Sequence, residues 1–217
     1  ATGLVTSQIP VGTSPNALQT IGTKVYVSNQ DGTVSVINSA TDTVTATVSV
    51  SGSPFLGTLI GTTLYLNKSS GATLINTITD SVIPSSCPPE VIVGDGPNRI
   101  YYINNKIYVV NGTDDNVAVL NSSDLVINTI AVGDNPLESS QVGNKIYISN
   151  LNDNTVSVLD TTSDMITATI AVGNEPSRSV LAGTKLYVIN AGETTISVID
   201  TDTDAVVETI DVGNTPY

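Results

Sequence analysis

The sequence predicts an all-β fold, a β-propeller of five four-stranded antiparallel blades with a surplus N-terminal outer strand. Three observations predict it. Tyr26, Tyr65, Tyr108, Tyr147 and Tyr187 recur at spacings of 39, 43, 39 and 40 residues. Pro15, Pro54, Pro97, Pro136, Pro176 and Pro216 keep the same beat, each within or close to a Val-Gly-x-x-Pro phrase. A period near forty marks a repeat architecture. Within each repeat, apolar residues alternate with small or polar ones, which is the period of a strand and not of a helix.

The fifth repeat serves as template. Val172-Gly173-Asn174-Glu175-Pro176 opens it, and Ser177–Ala182 reads as a first strand. Gly183-Thr184 is a two-residue turn, whose positive φ matches the twist of a hairpin. Lys185–Asn190 follows as a second strand, with Leu186 and Val188 on one face and Lys185, Tyr187 and Ile189 on the other. Thr195–Asp200 reads as the third strand, Asp202–Asp204 as a turn, and Val206–Val212 as the fourth strand. The hairpin turn returns as Gly22-Thr23, Gly61-Thr62, Asn104-Asn105 and Gly143-Asn144. The late turn returns around Asp42, Asp80, Asp124 and Asp164, where a short carboxylate can bond the backbone two residues on. A single four-stranded sheet cannot bury both faces, so tandem copies stack face to face around an axis. A parallel β-helix is the competing arrangement, but it lacks these regular hairpin turns.

The second repeat departs from the template. Lys68 stands where the others have Asn29, Asn111, Asn150 and Asn190, and an insert, Pro84-Ser85-Ser86-Cys87-Pro88-Pro89, follows Asp80. Adjacent prolines are excluded from a central strand, so the insert reads as a surface loop on the outer edge of that blade.

The ends carry a further expectation. Residues 3–12 align with 164–173, so Leu4, Val5 and Ile9 belong to a fourth strand that has no blade of its own, placed at residues 1–12 ahead of the repeats at 13–217. That strand can add to the closing blade, displace its equivalent, or pair with another molecule by strand addition. The last alternative is a head-to-tail contact, which builds a filament unless the rotation closes. The first residue is Ala and not Met, as expected of a chain trimmed of a signal peptide or of a piece of a longer array.

Composition bounds the rest. Charged residues make up 12% of the 217, with Ser and Thr supplying the polarity, as suits exposed strand faces. The net charge is −13, concentrated after residue 90, and such a surface repels phosphate backbones and anionic lipid heads. Neither nucleic-acid binding nor membrane insertion is expected, because no apolar run approaches the length of a span. A single cysteine, Cys87, permits no disulfide within the chain.

The phrases Lys185-Leu186-Tyr187-Val188-Ile189-Asn190, Thr195-Ile196-Ser197-Val198-Ile199-Asp200 and Thr209-Ile210-Asp211-Val212-Gly213 resemble the YVTN-type β-propeller repeats of archaeal and bacterial surface-layer and extracellular proteins. Tyr26-Val27-Ser28-Asn29 and Tyr147-Ile148-Ser149-Asn150 match the name-giving tetrapeptide at three of four positions. The resemblance covers essentially the whole chain and implies a propeller fold at the cell surface or outside the cell. Five repeats depart from the roughly seven blades usual for such a family, which bears on ring closure.

Little remains for chemistry. Without histidine there are no His-based triads or His metal ligands, and one cysteine alone makes no Cys-His pair. The acids mostly occupy repeated turn positions. Asp200, Asp202 and Asp204 alternate without forming an EF-hand loop, and Asp95, Asp134 and Glu175 recur between Gly and Pro in consecutive repeats. The chain is therefore expected to be no enzyme, with no cofactor and no metal. Asn67, Asn111 and Asn121 begin Asn-x-Ser/Thr sequons and are candidate N-glycosylation sites. Tyr101 and Tyr102 are a candidate sugar-stacking pair. Two functions stay open: an extracellular structural subunit of a surface layer or filament, whose partner is itself, or an adhesin-like module binding glycans or proteins.

Overall fold

The computed structural model describes residues 8–55, 57–83 and 91–213, all in strands, turns and irregular connections. The first sheet contains β1 (Pro15–Ile21), β2 (Lys24–Asn29), β3 (Thr33–Asn38) and β4 (Thr43–Ser49). The second contains β5 (Gly57–Ile60), β6 (Thr63–Asn67), β7 (Ser70–Asn76), β8 (Ser81–Val82) and β9 (Val91–Asp95). The third contains β10 (Pro97–Ile103), β11 (Lys106–Asn111), β12 (Asn116–Leu120) and β13 (Val126–Ala131). The fourth contains β14 (Pro136–Val142), β15 (Lys145–Asn150), β16 (Thr155–Asp160) and β17 (Met165–Ala171), and the fifth β18 (Pro176–Ala182), β19 (Lys185–Asn190), β20 (Thr195–Asp200) and β21 (Ala205–Asp211). Each is an antiparallel meander whose strands pair in chain order, except that β9 of the second sheet pairs with β7. The fold is all-β, with five propeller-type blades.

Turn chemistry sets the first hairpin of each blade. Gly22, Gly61, Gly143 and Gly183 take φ between 59 and 64°, so the glycine supplies the left-handed residue of the two-residue loop. In the third blade both turn residues are left-handed, Asn104 at 53° and Asn105 at 62°, and asparagine tolerates that region. The registers that result, such as Ile21 opposite Lys24 and Ala182 opposite Lys185, fix which side chains share a face.

The fourth strand of the second blade is divided: β8 pairs with Ile75 and Asn76 at the end of β7, and β9 pairs with the same strand. In sequence, the prolines of the insert fall between the two pieces. The insert itself, with Cys87, lies outside the described residues, as do Leu4 and Val5 of the expected outer strand. Ile9 is described; it is half-buried and outside any strand.

Contacts divide the chain into two compact units, one ending at Ile92 and one beginning at Val93. In the first unit, Tyr26, Val34, Val36 and Val48 of the first blade pack on Leu64, Leu66 and Ile75 of the second. In the second unit, Tyr108, Val117, Val119 and Ile130 of the third blade meet Ile146, Ile148 and Leu159 of the fourth. The fourth blade meets the fifth through Tyr147, Val156, Val158 and Ile170 against Leu186, Val188 and Ile199. The same register positions are used each time. Each large side chain so buried contributes about 1.5–3 kcal/mol relative to exposure, so the faces hold the blades together.

The Val-Gly phrase has a steric cause. A Cβ built on Gly173 would stand 2.3 Å from the Asn190 amide nitrogen, and Asn190 is fully buried. That amide donates to Thr195 Oγ1 and Ser197 Oγ at 2.8 and 3.0 Å, so it has no freedom to retreat. The recurring glycine and the recurring asparagine are therefore one device. In the second blade the asparagine is replaced by Lys68, whose buried chain reaches Ser51 Oγ at 2.9 Å.

Candidate functional site: the clasp between consecutive blades

In the first, third and fourth blades the second strand carries Lys-x-Tyr, which places both polar heads on the face turned toward the next blade. The late turn of that next blade carries the aspartate they meet. Lys24 Nζ lies 2.8 Å from Asp80 Oδ2, and the Tyr26 hydroxyl donates to Asp80 Oδ1 at 2.5 Å. Lys106 and Tyr108 hold Asp164 at 2.5 and 2.7 Å. Lys145 and Tyr147 hold Asp204 at 2.7 and 2.5 Å. The phenol also lies near a backbone carbonyl of the same turn, Thr161 O at 2.9 Å from Tyr108 and Thr201 O at 3.2 Å from Tyr147.

The tyrosine rings are within the core, with Tyr26, Tyr108 and Tyr147 at most 1% exposed. Burial, the hydrogen bond to the aspartate and its negative charge together push all three phenols well above the usual tyrosine range. The site thus keeps a neutral phenol, a carboxylate and an ammonium in one bonded cluster. It ties two sheets together across the interface.

This corrects the expected role of the late aspartates. They occupy the left-handed region, with Asp80, Asp164 and Asp204 at φ 50, 56 and 53°. Side-chain bonds to the turn backbone come instead from a residue three or four positions earlier. Asn38, Asn76, Asn121, Asp160 and Asp200 each accept from an N–H two residues on. Those bonds hold the Asp160 carboxyl below its ordinary range, Thr162 N–H being the largest cause and Ser163 N–H the next.

A signal for the clasp was present. Four of the seven cationic residues, Lys24, Lys106, Lys145 and Lys185, stand two residues before a repeated tyrosine. In so cation-poor a chain that placement calls for a recurring anion. The fourth and third blades are also joined by Arg99, whose guanidinium grips Glu138 with bonds of 2.7 and 2.9 Å.

Other expected sites come apart. Tyr101 is turned into the third blade's interface, its hydroxyl 2.7 Å from the Ser139 carbonyl, whereas Tyr102 is 47% exposed and bonds Asn105. Neighbours on a strand point to opposite faces, so the two form no stacking pair. Asn67 and Asn111 are buried; the Asn111 amide donates to Val93 O at 2.6 Å and to Asn116 Oδ1 at 2.8 Å. Neither has room for a glycan, which corrects two of the three sequons. Asn121 is half-buried, with its side-chain oxygen engaged by Ser123 and Leu125 N–H groups. Asp200 serves its own turn while Asp204 serves the clasp, and the N–H groups of Asp95 and Asp134 donate to the carboxylates of Asp114 and Asp153. Among the described residues no three acids, Cys or His gather as a metal site.

No protein-family model matches the chain. No curated protein matches it either. Among solved structures, the chain is similar to the crystal structure of the computationally designed Ika8 protein, with a TM-score of 0.75 and 12% identity. The likeness covers 93% of this chain and 63% of that one. At such identity it shows the fold alone.

Proposed function

We propose that this chain is a structural, self-associating protein, an extracellular subunit of a surface layer or filament. The observation that carries this reading is the outward face of the fifth blade. Tyr147, Val156, Ile170 and Val172 of the fourth blade are covered by the fifth. Their counterparts Tyr187, Ile196 and Ile210 are half-buried, and Val212 is 45% exposed. A sheet face with the composition of a buried interface, buried at Val198 and only partly covered around it, is an association surface in waiting. Glu208, where Ala168 stands in the covered face, keeps it soluble until a partner arrives.

The acidic, hydroxyl-rich composition and the resemblance to YVTN-type repeats support placement outside the cell. Strand exchange through Leu4, Val5 and Ile9 is part of the same reading. Electron microscopy of the purified chain tests it: ordered polymers are expected as concentration rises, and removing residues 1–9 weakens them. Monodisperse particles at every concentration would refute it.

A further inference from the structure

We propose that copies join head to tail, the fifth blade of one copy seating the first blade of the next through the clasp already used inside the chain. The inference rests on the assembly reading above and names its contact. Lys24 and Tyr26 take Asp80, Lys106 and Tyr108 take Asp164, and Lys145 and Tyr147 take Asp204. The fifth blade repeats the donor half, with Lys185 and Tyr187, and neither head group has a hydrogen bond or ion pair among the described residues. The first blade repeats the acceptor half. Asp42 has the left-handed φ of the others, 54°, yet its carboxylate is exposed and unpaired among the described residues.

The apolar surroundings complement one another as well. Tyr187, Ile196 and Val212 present the knobs of an internal interface. The first blade offers a groove of about 470 Å³ lined by Val11, Pro15, Ala17, Val27 and Ile37, with Leu18 69% exposed at its edge. Val27 and Ile37 stand at the register positions of Leu66 and Ile75, which receive the first blade inside the chain. Each half matches the other and not itself, so the contact is heterologous and propagates as an open chain of copies unless the rotation closes a ring. The Lys185–Asp42 pairing makes it specific, because like charges brought together there would repel strongly.

Sedimentation velocity at fixed ionic strength tests this with Asp42→Lys, Lys185→Asp, an equimolar mixture of the two, and the double variant. Both substitutions lie at accessible positions, and Asp42→Asn, which suits a left-handed residue, checks that the turn survives. Each single variant is expected to associate at least about tenfold more weakly than the unsubstituted chain. The mixture and the double variant are expected to recover association, since in both every lysine at one end meets an aspartate at the other. Recovery by the double variant but not the mixture means a contact within one chain and overturns the proposal. Association that ignores both substitutions but disappears without residues 1–9 overturns it while leaving the assembly reading intact. A chain that stays monomeric throughout overturns both.

Discussion

Replacing Tyr108 with Phe removes one atom from a buried tyrosine whose partners in the clasp, Lys106 and Asp164, are partly exposed, and leaves the ring packing in place. The lost hydroxyl donates to the Asp164 carboxylate at 2.7 Å and lies 2.9 Å from the Thr161 carbonyl. A bond to a charged acceptor is worth about 1.5–3 kcal/mol. Lys106 still neutralises Asp164 at 2.5 Å, so the carboxylate is not stranded and the lower part of that range applies. A loss of about 2 kcal/mol is expected. With a urea slope of roughly 2 kcal/mol per molar, the unfolding midpoint falls by about 1 M. The control is Tyr187→Phe, the same substitution at the equivalent position of the fifth blade, where the hydroxyl has no partner among the described residues. Measured by circular dichroism on dispersed protein, it is expected to change stability by no more than about 0.5 kcal/mol. Equal shifts for the two variants would refute the reasoning, because the cost would then belong to the tyrosine ring and not to the clasp.

Three further outcomes follow from the geometry. Gly173→Ala drives a Cβ into the Asn190 amide and is expected to cost about 1–3 kcal/mol by urea unfolding; a neutral result would mean the Gly–Asn device is not rigid. Asp160→Ala removes the acceptor of two turn N–H groups and is expected to cost about 1 kcal/mol, whereas Asp160→Asn, the residue used at 38, 76 and 121, is expected to be nearly neutral. Because Asp160 has a lowered pKa in the fold, its contribution is present above the unfolded value and is lost as pH falls, a dependence the Asn variant lacks. The clasp tyrosines have the opposite sign. Their raised pKa means the unfolded chain, titrating near 10, sheds protons first as pH rises. Stability is therefore full below about pH 10 and falls above it by about 1.4 kcal/mol per pH unit for each clasp, which urea midpoints across the alkaline range would read.

Much of the fold was legible because local chemistry and pattern agree. Lys185–Asn190 and Thr195–Asp200 have the boundaries read from their alternation, since a two-residue Gly-Thr loop leaves one register open. The divided strand of the second blade was harder. Ser81–Val82 and Val91–Asp95 are too short to read separately, and pairing with one common strand is a tertiary fact. The role of the late aspartates was misjudged because a turn position explains an Asp without further cause. Their carboxylates are claimed by residues more than fifty positions upstream, as in the 56-residue separation of Tyr108 and Asp164. The sequons at Asn67 and Asn111 mislead for a related reason: the tripeptide is local, and burial at the end of a second strand is not.

The most direct test of head-to-tail joining is a zero-length carboxyl-to-amine cross-link on an equal mixture of unlabelled and heavy-isotope protein, followed by mass spectrometry. A linked Asp42–Lys185 pair should appear in mixed-isotope form alongside the unmixed forms. A linked pair found only within one isotope, or no such link in protein that has associated, would contradict the account.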